Sequence, residues 1–519
     1  MAFKKVVIVG GGSAGWITAA YMNAILNSRE HQFVEFVVIE SPTLPRISVG
    51  EATVPTINRL LQTLRINEKD FMKATDATFK QGIKFVNWFK ENDHSYYHTF
   101  DRRESQASGH LASKNWLNSD RSIPFAETVS IQPQLCEMNY SPKLPTDGHY
   151  QSPLTYAYHM DAEKFANYLC TYSKSQGIKH IQDDVVDVMV TADQNISAII
   201  TKTGLKIESD LYIDCTGFSS LLIGKKLGVG FKDYSQWLIC DRAVTMQIPY
   251  QYYYPQEIRP YTTSTALSSG WVWDIGLVNR RGIGYVYSSE FISDADAEKE
   301  LRQYEGEHSS GIACRTVKFS VGRRESFWKS NCVAIGLSAA FVEPLESTGL
   351  NMIEFAATTL AEHFPMGDEM KPLADRYNKI MSNRFDDALD FINLHYCLSR
   401  RTDSAFWREV QKPKRILSSV QQQLDLWKLK SPSEADFDNH FILFNHTNYE
   451  YILYGMSFME TDAIDNGYSS KDNIKDKARN KSKVPQMIVD NIQAAKNNLV
   501  PHERWLQEEI GMKKYTNKK

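Results

Sequence analysis

The chain has 519 residues, 42 % apolar and 23 % charged, which excludes a disordered protein and is ample for a deep core. Its 59 Lys and Arg against 62 Asp and Glu leave a net charge of −3, so broad electrostatic capture of nucleic acid or of an anionic membrane is not expected. No apolar run approaches the ~20 residues of a membrane span, and Met1-Ala2-Phe3-Lys4-Lys5 leads into a strand without room for a signal peptide, so a cytoplasmic protein is expected.

Val6-Val7-Ile8-Val9 reads as a strand, and Gly10-Gly11-Gly12-Ser13-Ala14-Gly15 follows at once. Residues 16–22 read as a helix, and a second strand over 33–39 ends in Glu40, completing a βαβ unit. Further on, residues 185–190 and 196–200 read as a hairpin, and residues 210–217 as a strand entering a glycine turn. Residues 271–275, 284–287 and 332–336 read as strands, and 349–363 as a helix.

From about Arg376 the periodicity turns helical, with Phe385, Leu389, Ile392, Leu394 and Tyr396 among its apolar positions. A division near residue 384 gives a larger body, 1–384, and a mainly helical C-terminal subdomain, 385–519. Residues 471–483 carry six Lys and Arg against two Asp and read as a surface loop; the tail, 513–519, reads as a frayed end. The seven cysteines are scattered and never spaced C-x-x-C, which points to reduced thiols and away from a metal site or a disulfide framework.

Gly10-x-Gly12-x-x-Gly15 lies where a dinucleotide site needs it, after a strand and at the start of a helix. The first glycine makes the tight turn, the second admits the pyrophosphate, and the third lets helix pack on strand. The helix start, with Ser13 and Ala14, offers N–H groups and partial positive charge to phosphates. Glu40 sits 25 residues past Gly15 at a strand end, where a carboxylate can accept ribose hydroxyls. FAD and NAD share such a turn. The later Asp214-Cys215-Thr216-Gly217-Phe218 favours FAD, because flavoprotein monooxygenases complete their FAD site with an acid and a glycine after a second strand. The expected fold is therefore α/β, of the flavoprotein monooxygenase-like FAD-binding kind, with a large mixed β-sheet region.

Four further segments, in order, resemble the flavin-dependent halogenases, in particular the tryptophan halogenase group. They are Gly50-Glu51-Ala52-Thr53-Val54-Pro55; Phe79-Lys80 ahead of Lys84-Phe85-Val86-Asn87-Trp88; Gly270-Trp271-Val272-Trp273-Asp274-Ile275; and Pro344-Leu345-Glu346-Ser347-Thr348-Gly349. With the FAD turn, the resemblance covers most of the chain.

The resemblance implies an FAD-dependent oxidoreductase whose reduced FAD comes from a separate flavin reductase. Reduced flavin and O₂ form a flavin hydroperoxide, which oxidises halide to hypohalous acid. The acid passes through a tunnel to Lys80, which hydrogen-bonds it or forms a haloamine, and an electron-rich aromatic ring attacks the halogen. Glu346 matches the catalytic glutamate, Thr348 and Gly349 the halide loop, and Ser347 a tunnel residue. Trp271 and Trp273 match the pair that keeps organic substrate from the flavin. Residues 50–55 match a flexible strap that senses flavin. Cofactor contacts extend by resemblance to Ala52, Gly336 and Leu350.

Two features depart from the family pattern. Gly276 stands where the motif usually has proline, which predicts a less rigid strand exit. The segment 437–451 lacks a good match to the cluster that grips free tryptophan, although Glu450 offers one ammonium partner. An indole or phenol is the expected substrate, with bromide or iodide favoured over chloride. The Lys-, Asn- and Tyr-rich flavour points to a marine bacterial or phage relative. Two other readings share the FAD turn: an aromatic hydroxylase, and a flavin-binding protein without turnover. Lys80, Glu346 and the tryptophan pair count against the first; Lys80 and Glu346 count against the second.

Overall fold

Strand β1 (Lys4–Val9) buries Val6, Val7, Ile8 and Val9 in succession, the pattern of a parallel strand covered on both faces. Helix α1 (Ser13–Leu26) follows, and β2 (Val34–Glu40) returns parallel to β1, in register from Lys4 opposite Val34 to Val9 opposite Ile39. The expected βαβ unit is thus present. The structure is a computed structural model that describes residues 4–28, 31–44, 50–100, 109–251, 254, 257–367, 369–439, 441–458 and 481–515. Most of the basic stretch 471–483 and the last four residues of the expected frayed tail lie outside the described residues.

Contacts divide the chain into two units, each made of three segments: Met1–Ala77, Met160–Tyr234 and Phe319–Asp386 in the first, Thr78–His159, Ser235–Lys318 and Asp387–Lys519 in the second. The division near 384 read from the sequence falls beside the last of these boundaries.

The first unit is built on a six-stranded sheet. Its order is Trp328–Lys329, Cys332–Ala334, Leu211–Asp214, β1, β2, Lys179–Gln182, and only the Trp328–Lys329 edge runs antiparallel. The expected hairpin is present as Val185–Val190 against Ile196–Thr201, in a separate three-stranded sheet. Helices α2 (Thr56–Thr63), α3 (Gly349–Glu362) and the first part of α4 (Lys371–Cys397) also belong to this unit.

The second unit contains strand β3 (Thr78–Lys80) and the start of β4 (Ala157–Asp161), paired antiparallel with Lys80 opposite Ala157 and Thr78 opposite His159. Its main sheet has seven strands. In the middle lie β5 (Thr262–Leu267), β6 (Gly270–Gly276) and β7 (Arg280–Tyr287), and β5 also pairs, in parallel, with Gly82–Val86. Helix α5 (His502–Ile510) lies near the end of the chain. Among the described residues no helix is long and apolar enough to cross a membrane.

Candidate active site

The glycine turn is shaped by contacts that a side chain would destroy. Gly10 adopts φ +121°, and a Cβ there would stand 2.2 Å from the carbonyl oxygen of Cys215 on the neighbouring strand exit. A Cβ on Gly15 would stand 1.9 Å from the Gly10 carbonyl, so α1 can approach the turn only with glycine there. At Gly12 a Cβ would meet nothing within 4 Å. Gly12 caps α1 without a side-chain hydrogen bond, and the first turn holds no acid, which leaves the N–H groups around Ser13 and Ala14 available to phosphate.

Glu40 closes this cradle. Its carboxyl occupies the space a side chain at Gly11 would need, and its Oε2 lies 3.0 Å from Nε2 of His180. Gly336, at φ +78°, lets its turn pack against Ala14, where a Cβ would come within 2.7 Å of the Ala14 methyl. A narrow glycine cradle, an uncapped helix start and an acid at the strand end fit a dinucleotide such as FAD.

Both side-chain oxygens of Asp214 are engaged within its own turn. Its Oδ1 accepts from the Thr216 N–H at 3.0 Å and the Thr216 hydroxyl at 2.6 Å; its Oδ2 accepts from the N–H groups of Leu222 and Ile223 at 2.8 and 2.9 Å. The carboxylate is wholly buried and holds the turn at Gly217, which is at φ +65°, against the following π-helix. Ala52 ends a short strand, Gly50–Ala52, ahead of α2. Leu350 is buried in the first turn of α3.

Residues 344–349 form a tight turn into α3. Pro344–Glu346 is one turn of 3₁₀ helix, and Ser347 then takes the left-handed conformation at φ 59°. Glu346 is only 2 % exposed. Thr348 precedes Gly349 at the helix start, and its buried hydroxyl finds no hydrogen-bond partner among the described residues. A left-handed residue before an uncapped helix start concentrates N–H groups, an arrangement suited to a small anion.

In the second unit Lys80 has no exposed surface, and its Nζ lies 4.9 Å from the centre of the Phe100 ring. Lys80, Thr78, Ala157 and His159 share one face of the β3–β4 pair. The Thr78 hydroxyl donates to the Gly276 carbonyl at 2.5 Å. Burial first, and then the nearby Lys80 charge, hold the His159 imidazole well below its usual pKa, so it is neutral. Its Nε2 lies 2.9 Å from the Thr262 hydroxyl.

Trp271 and Trp273 project from one face of β6 with ring centres 6.3 Å apart, edge to face. Trp271 is 1 % exposed and also meets Trp88, at 6.4 Å between ring centres. Trp273 lies over Gly284 of β7, where a Cβ would stand 2.1 Å from the indole. The strand exit after them is not the loose one expected from Gly276. That residue pairs with Arg281, accepts the Thr78 bond, and has Ile258 and Tyr250 where a side chain would go.

The sequence reading passed over His159 and His502. A lone histidine on an apolar strand or near a chain end carries no spacing signal, and only the fold shows what it touches.

The family model described as tryptophan halogenase matches residues 5–469. The chain is 35 % identical over 453 residues to the tryptophan 6-halogenase SttH of Streptomyces toxytricini, covering 83 % of this chain and 85 % of that protein. It is 32 % identical over 522 residues to the tryptophan 7-halogenase RebH of Lentzea aerocolonigenes, covering 92 % and 96 %. The solved structure of a tryptophan halogenase from Shewanella frigidimarina NCIMB 400 superposes with a TM-score of 0.89 at 33 % identity, over 98 % of each chain. With the family matched over most of its length and the glycine cradle in place, the chain belongs to the tryptophan halogenases, a family of flavin-dependent halogenating enzymes.

Proposed function

We propose that this enzyme uses hypohalous acid to halogenate an electron-rich aromatic ring of indole or phenol type, with Lys80 as the group that activates the halogen. Bound FAD, supplied in reduced form by a separate flavin reductase, provides with O₂ the oxidising power that turns halide into hypohalous acid. Gly10, Gly12, Ser13, Ala14, Gly15 and Glu40 hold the cofactor's phosphates and ribose, with Asp214 and Gly217 shaping a neighbouring turn and Ala52, Gly336 and Leu350 completing the contacts. The N–H groups at Thr348 and Gly349 hold the halide.

The observation that carries the proposal is the complete burial of Lys80 in a chain of this family. Burial keeps Lys80 out of bulk water; in this reading hypohalous acid reaches it through a tunnel lined in part by Ser347. Lys80 lies against the face of Phe100, a position that accommodates an ammonium, and as an ammonium it donates a hydrogen bond. Donation to the oxygen of the acid draws electron density from the halogen and makes it a better electrophile. The ring carbon then bonds to halogen as the halogen–oxygen bond breaks, the departing hydroxide takes the Lys80 proton and leaves as water, and Glu346 takes the ring proton. Trp271 and Trp273 supply the bulk that keeps organic substrate out of the oxidation chemistry.

For the substrate, Glu450 is 1 % exposed and already accepts the Ser113 hydroxyl hydrogen, which favours a ring without a free amino-acid head group. Bromide and iodide, the more easily oxidised halides, are favoured over chloride.

The test supplies FAD, a flavin reductase, NADH, each halide in turn and a panel of indoles, phenols and free tryptophan, with product masses as the readout. A halogen mass shift supports the proposal. An added oxygen identifies a hydroxylase, and no product under any halide a flavin-binding protein without turnover. Lys80→Ala is expected to abolish halogenation while FAD binding persists, and Glu346→Gln to slow it roughly 10²-fold.

A further inference from the structure

Lys80 ends a strand of only three residues, and one side of that strand is closed by a side chain from near the end of the chain. The Phe79 N–H does not bond to β4 but donates to Nε2 of His502 at 3.1 Å. Nδ1 of the same ring lies 2.9 Å from the Ile258 carbonyl oxygen. A backbone N–H can only donate and a carbonyl can only accept, so Nε2 carries the lone pair and Nδ1 the hydrogen. The imidazole therefore stands where one rung of backbone ladder would be. It bridges Ile258 to Phe79, two residues before Pro260 accepts directly from Gln81 N–H at 2.8 Å and ahead of the Thr262–Ile83 pairing. An imidazole is wider than a direct hydrogen bond, so it sets how far β3 splays from the 258–262 segment.

The ring is itself fixed. His502 has no exposed surface, and burial pushes its pKa down to about 4, which keeps Nε2 an acceptor near neutral pH. Its backbone is tied to residues 139–141: Ser141 N–H donates to the Val500 carbonyl at 2.9 Å and His502 N–H to that of Asn139 at 2.7 Å. Phe79 packs against Trp505 of the same helix with ring centres 4.6 Å apart.

We infer that His502 is a positioning residue for Lys80: its imidazole, held between Ile258 and Phe79, fixes the strand that carries the lysine. The inference rests on the proposed role of Lys80. It makes α5 part of the machinery that aims the ammonium, through a residue that touches neither substrate nor cofactor.

The test compares His502→Phe and His502→Gln with wild type and Lys80→Ala in the full-length, FAD-loaded enzyme. Phenylalanine keeps a ring but loses both hydrogen bonds. The glutamine amide offers an acceptor and a donor on either side of one carbon, as imidazole does. Expected for His502→Phe are unchanged FAD binding and oxidation of reduced FAD, a kcat for halogenated product lower by on the order of 10²-fold, and a KM for the aromatic substrate within about 3-fold of wild type. Hypohalous acid captured by a soluble scavenger should rise as product falls. His502→Gln should recover kcat to within about 10-fold of wild type. If the phenylalanine variant does not fold, the glutamine variant decides: recovery supports the inference, and a folded, FAD-binding glutamine variant as slow as Lys80→Ala overturns it. Wild-type kcat in a folded His502→Phe, beside an inactive Lys80→Ala, overturns the positioning alone. Halogenation by Lys80→Ala overturns the reading on which it rests.

Discussion

The hydroxyl of Thr56 donates a 2.8 Å hydrogen bond to Oε2 of Glu354, tying the start of α2 to the middle of α3. The same hydroxyl accepts from Asn351 at 2.9 Å, and Asn351 in turn accepts from Arg384 at 3.1 Å. Burial pushes the Glu354 carboxyl up to about 7, against the opposing pull of the Thr56 bond and of Arg59 and Arg384. A carboxyl raised in the folded state binds its proton more tightly there than in the unfolded chain. Its stabilising contribution is full below about 4.5 and is lost as pH rises through about 7. Glu354→Gln should therefore flatten the fall in Tm between about pH 5.5 and about pH 8. Thermal unfolding of both proteins at the two pH values checks this; parallel falls would mean that the carboxyl titrates alike in both states.

The two contacts around the glycine turn predict different defects. Gly15→Ala sets a methyl against the backbone oxygen of Gly10, which cannot move aside cheaply, so a stability loss of ~3 kcal/mol or more is expected in chemical denaturation. Gly11→Ala meets first the Glu40 side chain from Cγ outward, which can swing aside. The folded protein should survive and bind FAD about tenfold more weakly, close to 1.4 kcal/mol, as read by fluorescence titration. Wild-type FAD affinity in Gly11→Ala would remove Glu40 from the cofactor contacts.

Asp214→Asn turns one of two fully used carboxylate oxygens into a donor facing other donors. We expect about 3 kcal/mol of lost stability, with Thr216→Val costing less because it removes one of the four bonds to the carboxylate, together with the bond from the Leu221 N–H, and places no donor against donors. Urea unfolding of the two variants gives the comparison, and equal losses would contradict this account of the turn.

Gly284 gives way to the Trp273 indole, so a methyl there should be costly only while the indole is present. Gly284→Ala alone should lose about 2 kcal/mol, and most of that should vanish when Trp273→Ala is added. A double-mutant cycle of unfolding free energies measures the coupling; additive losses would mean that the ring sits elsewhere in solution.

The nucleotide-binding part of the fold was legible because every local signal agreed. The β-branched run, the three glycines, the helix and the acid at Glu40 all imply the same βαβ unit, and the register of β1 with β2 results from it. The neighbour on the other side of β1 was not legible. That strand, Leu211–Asp214, comes from a distant part of the chain, and no local pattern encodes the pairing. Asp214 shows the limit for a single residue. Its place after a strand announced an important acid, but whether it faces a ligand or its own turn depends on where residues 216–223 go. His502 left no trace in the sequence, since its meaning lies in a missing strand neighbour beside Phe79. Gly276 was visible as an oddity, and its reason, the bulk of Tyr250 and Ile258, is purely tertiary.

The threefold interleaving of the two units bears on how such enzymes can be re-engineered. A hybrid that borrows everything after Asp387 from a relative inherits only one of the three stretches that build the lysine-bearing half. The other two, Thr78–His159 and Ser235–Lys318, would still be native and would meet a foreign partner wherever they pack on the exchanged stretch. Tailoring of ring selectivity by crossover therefore calls for exchanging all three stretches together, or for point changes within them.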